Sequence, residues 1–120
     1  MILQLDFSCE VPIYKQIHDQ IVLGIASGRL HAGERLPTLR ALALETGINM
    51  MTVNKAYQLL KQEGHIMADR RGGTIVSGSH ASIPEDKVLQ ELKLPAASAK
   101  LSGFSRESWL ELCSQAYESL

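Results

Sequence analysis

Apolar residues recur along this chain with two different periods, and the period identifies the element. Ile13, Ile17, Ile21 and Ile25 return every four residues, which lays one apolar stripe along a helix. Pro12 stands at its start, where proline is tolerated, and Ser27-Gly28 stops it. Leu39, Leu42 and Ala43 give a second, shorter helix an apolar side, with the Thr38 hydroxyl placed as its cap and Gly47 at its end. Asn49 is suited to cap a third helix, in which Val53, Ala56, Tyr57 and Leu60 fall at i, i+3, i+4 and i+7 before Gly64. Two helices joined by Gly47-Ile48-Asn49 predict a helix-turn-helix. After Gly64 the pattern shortens: Ile66 and Ala68 alternate with Met67, and Thr74, Ile75 and Val76 are β-branched. These segments predict a β-hairpin whose tip is Asp69-Arg70-Arg71-Gly72-Gly73. Alternation at Ile2, Leu3, Leu5 and Phe7 predicts a further short strand near the start.

Beyond a connecting stretch at Gly78-Ser79-His80-Ala81, two more helices are expected. Ser82 and Glu85 have capping-box spacing ahead of Val88, Leu89 and Leu92. Pro95 lies inside that pattern and predicts a kink or break. Gly103 ends the segment, Ser105 caps the last helix, and Phe104 with Trp109 is spaced as a hydrophobic staple. Trp109, Leu112, Cys113, Ala116 and Leu120 then form an apolar stripe. The fold class expected is mainly α with a small β-hairpin. The tail stripe follows a complete small domain, so Val88, Leu89, Leu92, Phe104, Trp109, Leu112, Cys113, Ala116 and Leu120 are read as a dimer interface, the alternative being helices folded back on their own domain.

Composition changes this picture in one respect. With 120 residues, 45% of them hydrophobic and 21% charged, the chain is an ordinary globular one. No apolar run approaches the roughly 20 residues of a membrane span, and the start shows no basic segment followed by an apolar one. A cytoplasmic protein without membrane partners is expected, with Cys9 and Cys113 as reduced thiols. The net charge of −1 hides a bias: residues 29–76 carry seven basic against four acidic side chains, whereas each flank is net −2. A basic middle between acidic flanks suggests a local polyanion site.

The helix-turn-helix gives that site a geometry. Its second helix enters the major groove of duplex DNA, with early residues against the base edges. If Val53, Ala56, Tyr57 and Leu60 face inward, then Met51, Asn54, Lys55 and Gln58 face outward, flanked by Met50 and Thr52. Asn and Gln can bond adenine, and methyl-bearing side chains can pack on thymine. Lys55 suits phosphate, and free amides after Thr38 and Asn49 suit it as well. Arg70, Arg71, Gly72 and Gly73 fit a wing lying along the backbone, with arginine for phosphate or a narrow minor groove and glycine for close approach.

The run from Pro12-Ile13-Tyr14-Lys15-Gln16-Ile17 through Gly28-Arg29-Leu30-His31-Ala32-Gly33-Glu34-Arg35-Leu36-Pro37-Thr38-Leu39-Arg40-Ala41-Leu42-Ala43 resembles the winged-helix domain of the GntR family of bacterial regulators. Gly47-Ile48-Asn49, Thr52-Val53, Ala56-Tyr57, Glu63-Gly64 and Arg71-Gly72-Gly73-Thr74 continue the resemblance. It implies a dimeric transcription factor on a near-palindromic operator, with Arg40 on phosphate, Met50 to Lys55 as the recognition segment and Gly72-Gly73 at the wing tip. Ala41 departs from the carboxylate that often follows the motif arginine, and Met50-Met51 replace the more usual arginine, asparagine or proline. The organisation expected is an N-terminal extension at 1–10, a winged helix-turn-helix at 11–78 and a short helical region at 79–120. That short tail is similar to the YtrA subfamily, commonly repressors, and is too small to enclose an effector pocket alone. A small-molecule effector bound at a dimer interface is left open.

No catalytic residues, metal ligands or cofactor are expected. His18, His31, His65 and His80 lack partners at metal or catalytic spacing, no phosphate-binding loop or zinc pattern occurs, and His65 is read as a half-buried structural histidine. His18-Asp19 reads as a solvated pair. The competing reading is a dimeric protein-interaction module on a winged-helix scaffold that has lost DNA binding.

Overall fold

The computed structural model describes residues 3–120, which divide after Ala81 into two compact units. The first contains α1 (Ile13–Ala26), α2 (Leu39–Thr46), α3 (Met50–Gln62), β1 (Ile66–Ala68) and β2 (Thr74–Val76). The second contains α4 (Glu85–Leu101) and α5 (Arg106–Glu118). The architecture is mainly helical with one small hairpin, as the periodicities require.

Local chemistry sets the ends of the first three helices. Pro12 precedes α1, and its carbonyl accepts from Lys15 and Gln16 at 3.1 Å. Thr38 Oγ1 accepts from the Ala41 amide at 3.1 Å, and Gly47, at φ 74°, closes α2 by donating to the Ala43 carbonyl. Asn49 Oδ1 accepts from Met51 N at 2.7 Å at the start of α3. The stripes then converge. Val53, Ala56, Tyr57 and Leu60 of α3 are buried with Ile17 and Ile21 of α1 and Leu42 of α2, and Leu30, Leu36, Ile66 and Val76 complete the core.

β1 and β2 pair antiparallel, with Ile66 opposite Val76 and Ala68 opposite Thr74. The other edge of β2 is also used. Gly33 N donates to the Val76 carbonyl at 2.8 Å, Val76 N to Glu34 at 2.9 Å and Leu36 N to Thr74 at 2.9 Å. Residues 33–36, expected as plain loop, thus run along the free edge of β2 and bridge it at Arg35 and Ile75.

Three expectations are corrected. No strand forms at residues 3–7, and Ile2 lies outside the described residues. Leu3 and Leu5 do pack on the core, but α1 side chains replace the missing partner strand. Gln4 N donates to Gln20 Oε1 and Asp6 N to Gln16 Oε1, both at 2.9 Å, and the two amide groups donate back to the Gln4 and Asp6 carbonyls. Ser82 caps nothing, because α4 starts at Glu85 with Pro84 as its flanking residue. A residue before proline is driven out of the α region, so the helix cannot begin at Ile83. Pro95 does not break α4, which continues to Leu101.

Within the second unit, Ser105 Oγ accepts from Ser108 N at 3.0 Å and starts α5 as expected. Neither α4 nor α5 contains a buried residue.

Candidate nucleic-acid interface

The buried face of α3 fixes which face is free. With Val53, Ala56, Tyr57 and Leu60 in the core, Met50, Met51, Asn54, Lys55 and Gln58 are exposed and Thr52 is half-buried. Met51 is the more open of the two methionines, at 79% exposure. That leaves an adaptable apolar group at the tip of the helix without a packing role in this unit. Asn54 Oδ1 accepts from Gln58 Nε2 at 3.4 Å, so the two carboxamides align along one turn. Thr38 and Asn49 are exposed and occupied as caps. Arg40, the second residue of α2, is exposed with no ion-pair partner among the described residues.

Tyr57 holds the two helices in register. Its hydroxyl donates to the Pro37 carbonyl at 2.8 Å, just ahead of the α2 cap, and burial pushes the phenol pKa up to about 12. On the other side of α3, the Lys55 ammonium lies 4.0 Å from the centre of the Tyr14 ring on α1.

The wing is braced by a residue whose local pattern predicts only a loop. Arg35 Nη2 lies 2.5 Å from Asp69 Oδ2, and Nη1 donates to the Gly72 carbonyl. Gly73 has φ 79°, a conformation that favours glycine, and a Cβ there would stand 2.6 Å from Arg35 Nη1, so the end of the arginine would have to shift from its brace. Asp69 is largely covered and consumes the Arg35 charge. Arg70 and Arg71 stay exposed, the latter only loosely near Asp69 at 3.7 Å. The tip therefore offers two cations and a glycine backbone. Arg35, Asp69 and Tyr14 carried no local signal, since each acts through a partner 34 or more residues away.

The histidines are elsewhere. His18, read as a solvated pair with Asp19, is in fact largely covered: Nδ1 meets Asp19 at 2.7 Å and Nε2 meets the Glu63 carboxylate at the end of α3. His65 Nδ1 lies 3.0 Å from His80 Nδ1. Burial holds the His65 pKa below its ordinary value; His80 and His18 push the same way and Glu63 opposes. Among the described residues no group of three or more His, Cys, Asp or Glu is arranged to hold a metal ion. In the tail, Val88, Leu89, Leu92, Phe104, Leu112, Ala116 and Leu120 are exposed, and Trp109 and Cys113 are half-buried.

The family model for bacterial regulatory proteins of the gntR family matches residues 13–76. The chain is 33% identical over 109 residues to the transcriptional repressor YtrA of Bacillus subtilis, covering 88% of this chain and 84% of that protein. It is 38% identical over 76 residues to the regulator YdcR of Escherichia coli, but spans only 16% of that protein's length. The structure of YtrA from Sulfolobus acidocaldarius, a GntR-family transcription factor, superposes with a TM-score of 0.60 at 33% identity over 98% of both chains. AraR(DBD) in complex with operator ORE1 superposes with a TM-score of 0.52 at 26% identity, over 64% of this chain and 94% of that one.

Proposed function

We propose, for a chain that belongs to the GntR family of bacterial regulatory proteins, that this DNA-binding transcription regulator is a cytoplasmic repressor acting as a homodimer on a near-palindromic operator. The observation that carries this reading is the pairing of a buried and a free face on α3. One face is locked in the core, the other presents Met50, Met51, Asn54, Lys55 and Gln58, and Arg40 is exposed on α2. In this reading α3 enters the major groove, where Asn54 and Gln58 address base edges and the methionines pack on thymine methyls. Arg40, Lys55 and the first-turn amides at Thr38 and Asn49 hold phosphate. Arg70, Arg71, Gly72 and Gly73 follow the backbone beside the site. Residues 82–120 join two protomers through the uncovered stripes of α4 and α5. The repressor assignment is supported by the name of the B. subtilis relative.

The test contrasts Arg40 with Asn54. Arg40→Ala weakens operator and scrambled DNA alike and flattens the salt slope by about 0.9 for every phosphate that each protomer no longer neutralises. Asn54→Ala leaves that slope nearly unchanged. It costs about 1–3 kcal/mol per base pair discriminated, at one symmetric pair of operator positions. Titration of both variants at several salt concentrations separates the roles. If the unaltered protein binds no duplex, the reading fails and the interaction module replaces it.

A further inference from the structure

Lys55 differs from the other cations of the interface in what it touches. Its ammonium lies 4.0 Å from the centre of the Tyr14 ring, within the range of a cation–π contact. Tyr14 lies in the first turn of α1 and is half-buried, packed against the core that α1 and α3 share. The core thus holds the ring on one side while its face meets the lysine. No carboxylate pairs with Lys55 among the described residues.

The kind of partner matters. A carboxylate would fix the ammonium and also cancel its charge, as Asp69 does for Arg35. The face of an aromatic ring attracts the ammonium through its quadrupole and leaves the net charge intact. A free lysine has four rotatable bonds and loses much rotamer freedom when fixed. A lysine already seated on a ring loses less of that freedom when a phosphate arrives.

We propose that Tyr14 is a positioning residue, which seats Lys55 in a charged, preordered state for contact with a DNA phosphate beside α3. This assignment rests on the DNA-binding reading above. Tyr14 touches no base or phosphate in this scheme and acts only through Lys55.

The test is a double-mutant cycle on the full chain, with Tyr14→Leu, Tyr14→Phe, Lys55→Gln and the Leu/Gln combination, titrated on operator and scrambled duplexes at several salt concentrations. Tyr14→Leu weakens both duplexes by about two- to five-fold per protomer, the range of an exposed cation–π contact. It leaves the salt slope nearly unchanged, because Lys55 keeps its charge. Tyr14→Phe binds as the unaltered protein does, since the ring face is retained. Lys55→Gln lowers the slope by about 0.9 per protomer, and adding Tyr14→Leu to it costs nothing more. In the free protein, the Lys55 side-chain methylene protons show an upfield ring-current shift that survives Tyr14→Phe and disappears in Tyr14→Leu.

Equal binding by Tyr14→Leu and the unaltered protein overturns the assignment alone. So does a weakening by Tyr14→Leu that persists undiminished in the Lys55→Gln background, since the effect is then structural. Failure of the unaltered protein to bind any duplex overturns the DNA reading first and this assignment with it.

Discussion

The two units obey the same patterning rule and reach opposite results. In residues 3–81, three helical stripes meet and eleven hydrophobic side chains are buried. In residues 82–120, both helices are equally regular and well terminated, yet no side chain is buried. An apolar stripe stabilises a helix only when another surface covers it. Three helices and a hairpin can enclose a volume; a pair of helices offers only the seam between them. The first unit therefore contains the means of its own stability, whereas the stripes of α4 and α5 find no core within their own unit.

The largest effect expected from this contrast is that of a chain ending at Ala81. It melts cooperatively by circular dichroism and is monomeric by light scattering, while the full chain is dimeric; a truncated chain that remains dimeric removes the tail from the interface. Next comes a pair of equal side-chain truncations in the two units. Leu60→Ala, in the core, lowers stability by about 2–5 kcal/mol in urea. Leu112→Ala, measured at protein concentrations where the dimer is dissociated, changes it by less than about 0.5 kcal/mol. Comparable losses would mean that the tail has a core of its own.

The smallest effect lies at the end of the first unit. Burial depresses the His65 pKa below its ordinary value of 6.5, so below that pH the unfolded chain binds more protons than the folded one. The stability contributed by neutral His65 is present above 6.5 and is lost as pH falls through the depressed folded value. Glu63, His80 and His18 are the titratable neighbours that modulate this loss. The urea midpoint accordingly drops further between about pH 7.5 and about pH 5 in the unaltered protein than in His65→Gln. Equal drops would place the pH dependence in other groups.

What was legible in the sequence is what neighbours along the chain decide. The Thr38, Asn49 and Ser105 caps, the α3 stripe and the hairpin were all readable because each depends on residues within a few positions. The free face of α3 followed by geometry from its buried face. The misses share the opposite property. Gln16 and Gln20 answer amides of the N-terminal segment, so a real alternation at Leu3 and Leu5 makes no strand. Residues 33–36 join the sheet through β2, about 40 residues on. The contacts of Lys55 with Tyr14 and of His18 with Glu63 cross between α1 and α3, where no spacing rule reaches. Ser82 was a local error, since Pro84 excludes the helix start that Ser82 would cap.

The Arg35 brace bears on how such domains can be recombined. A designer wishing to graft another regulator's wing onto this scaffold would naturally exchange residues 66–76 as a cassette. That cut would carry away Asp69 and Gly72, which grip Arg35, while Arg35 stayed behind in the segment that leads into α2. The incoming turn would then face an arginine selected for a different tip. Residues 33–36 and 66–76 form one exchangeable module in space, although they are two pieces in sequence, and a chimera that keeps its wing shape has to move both.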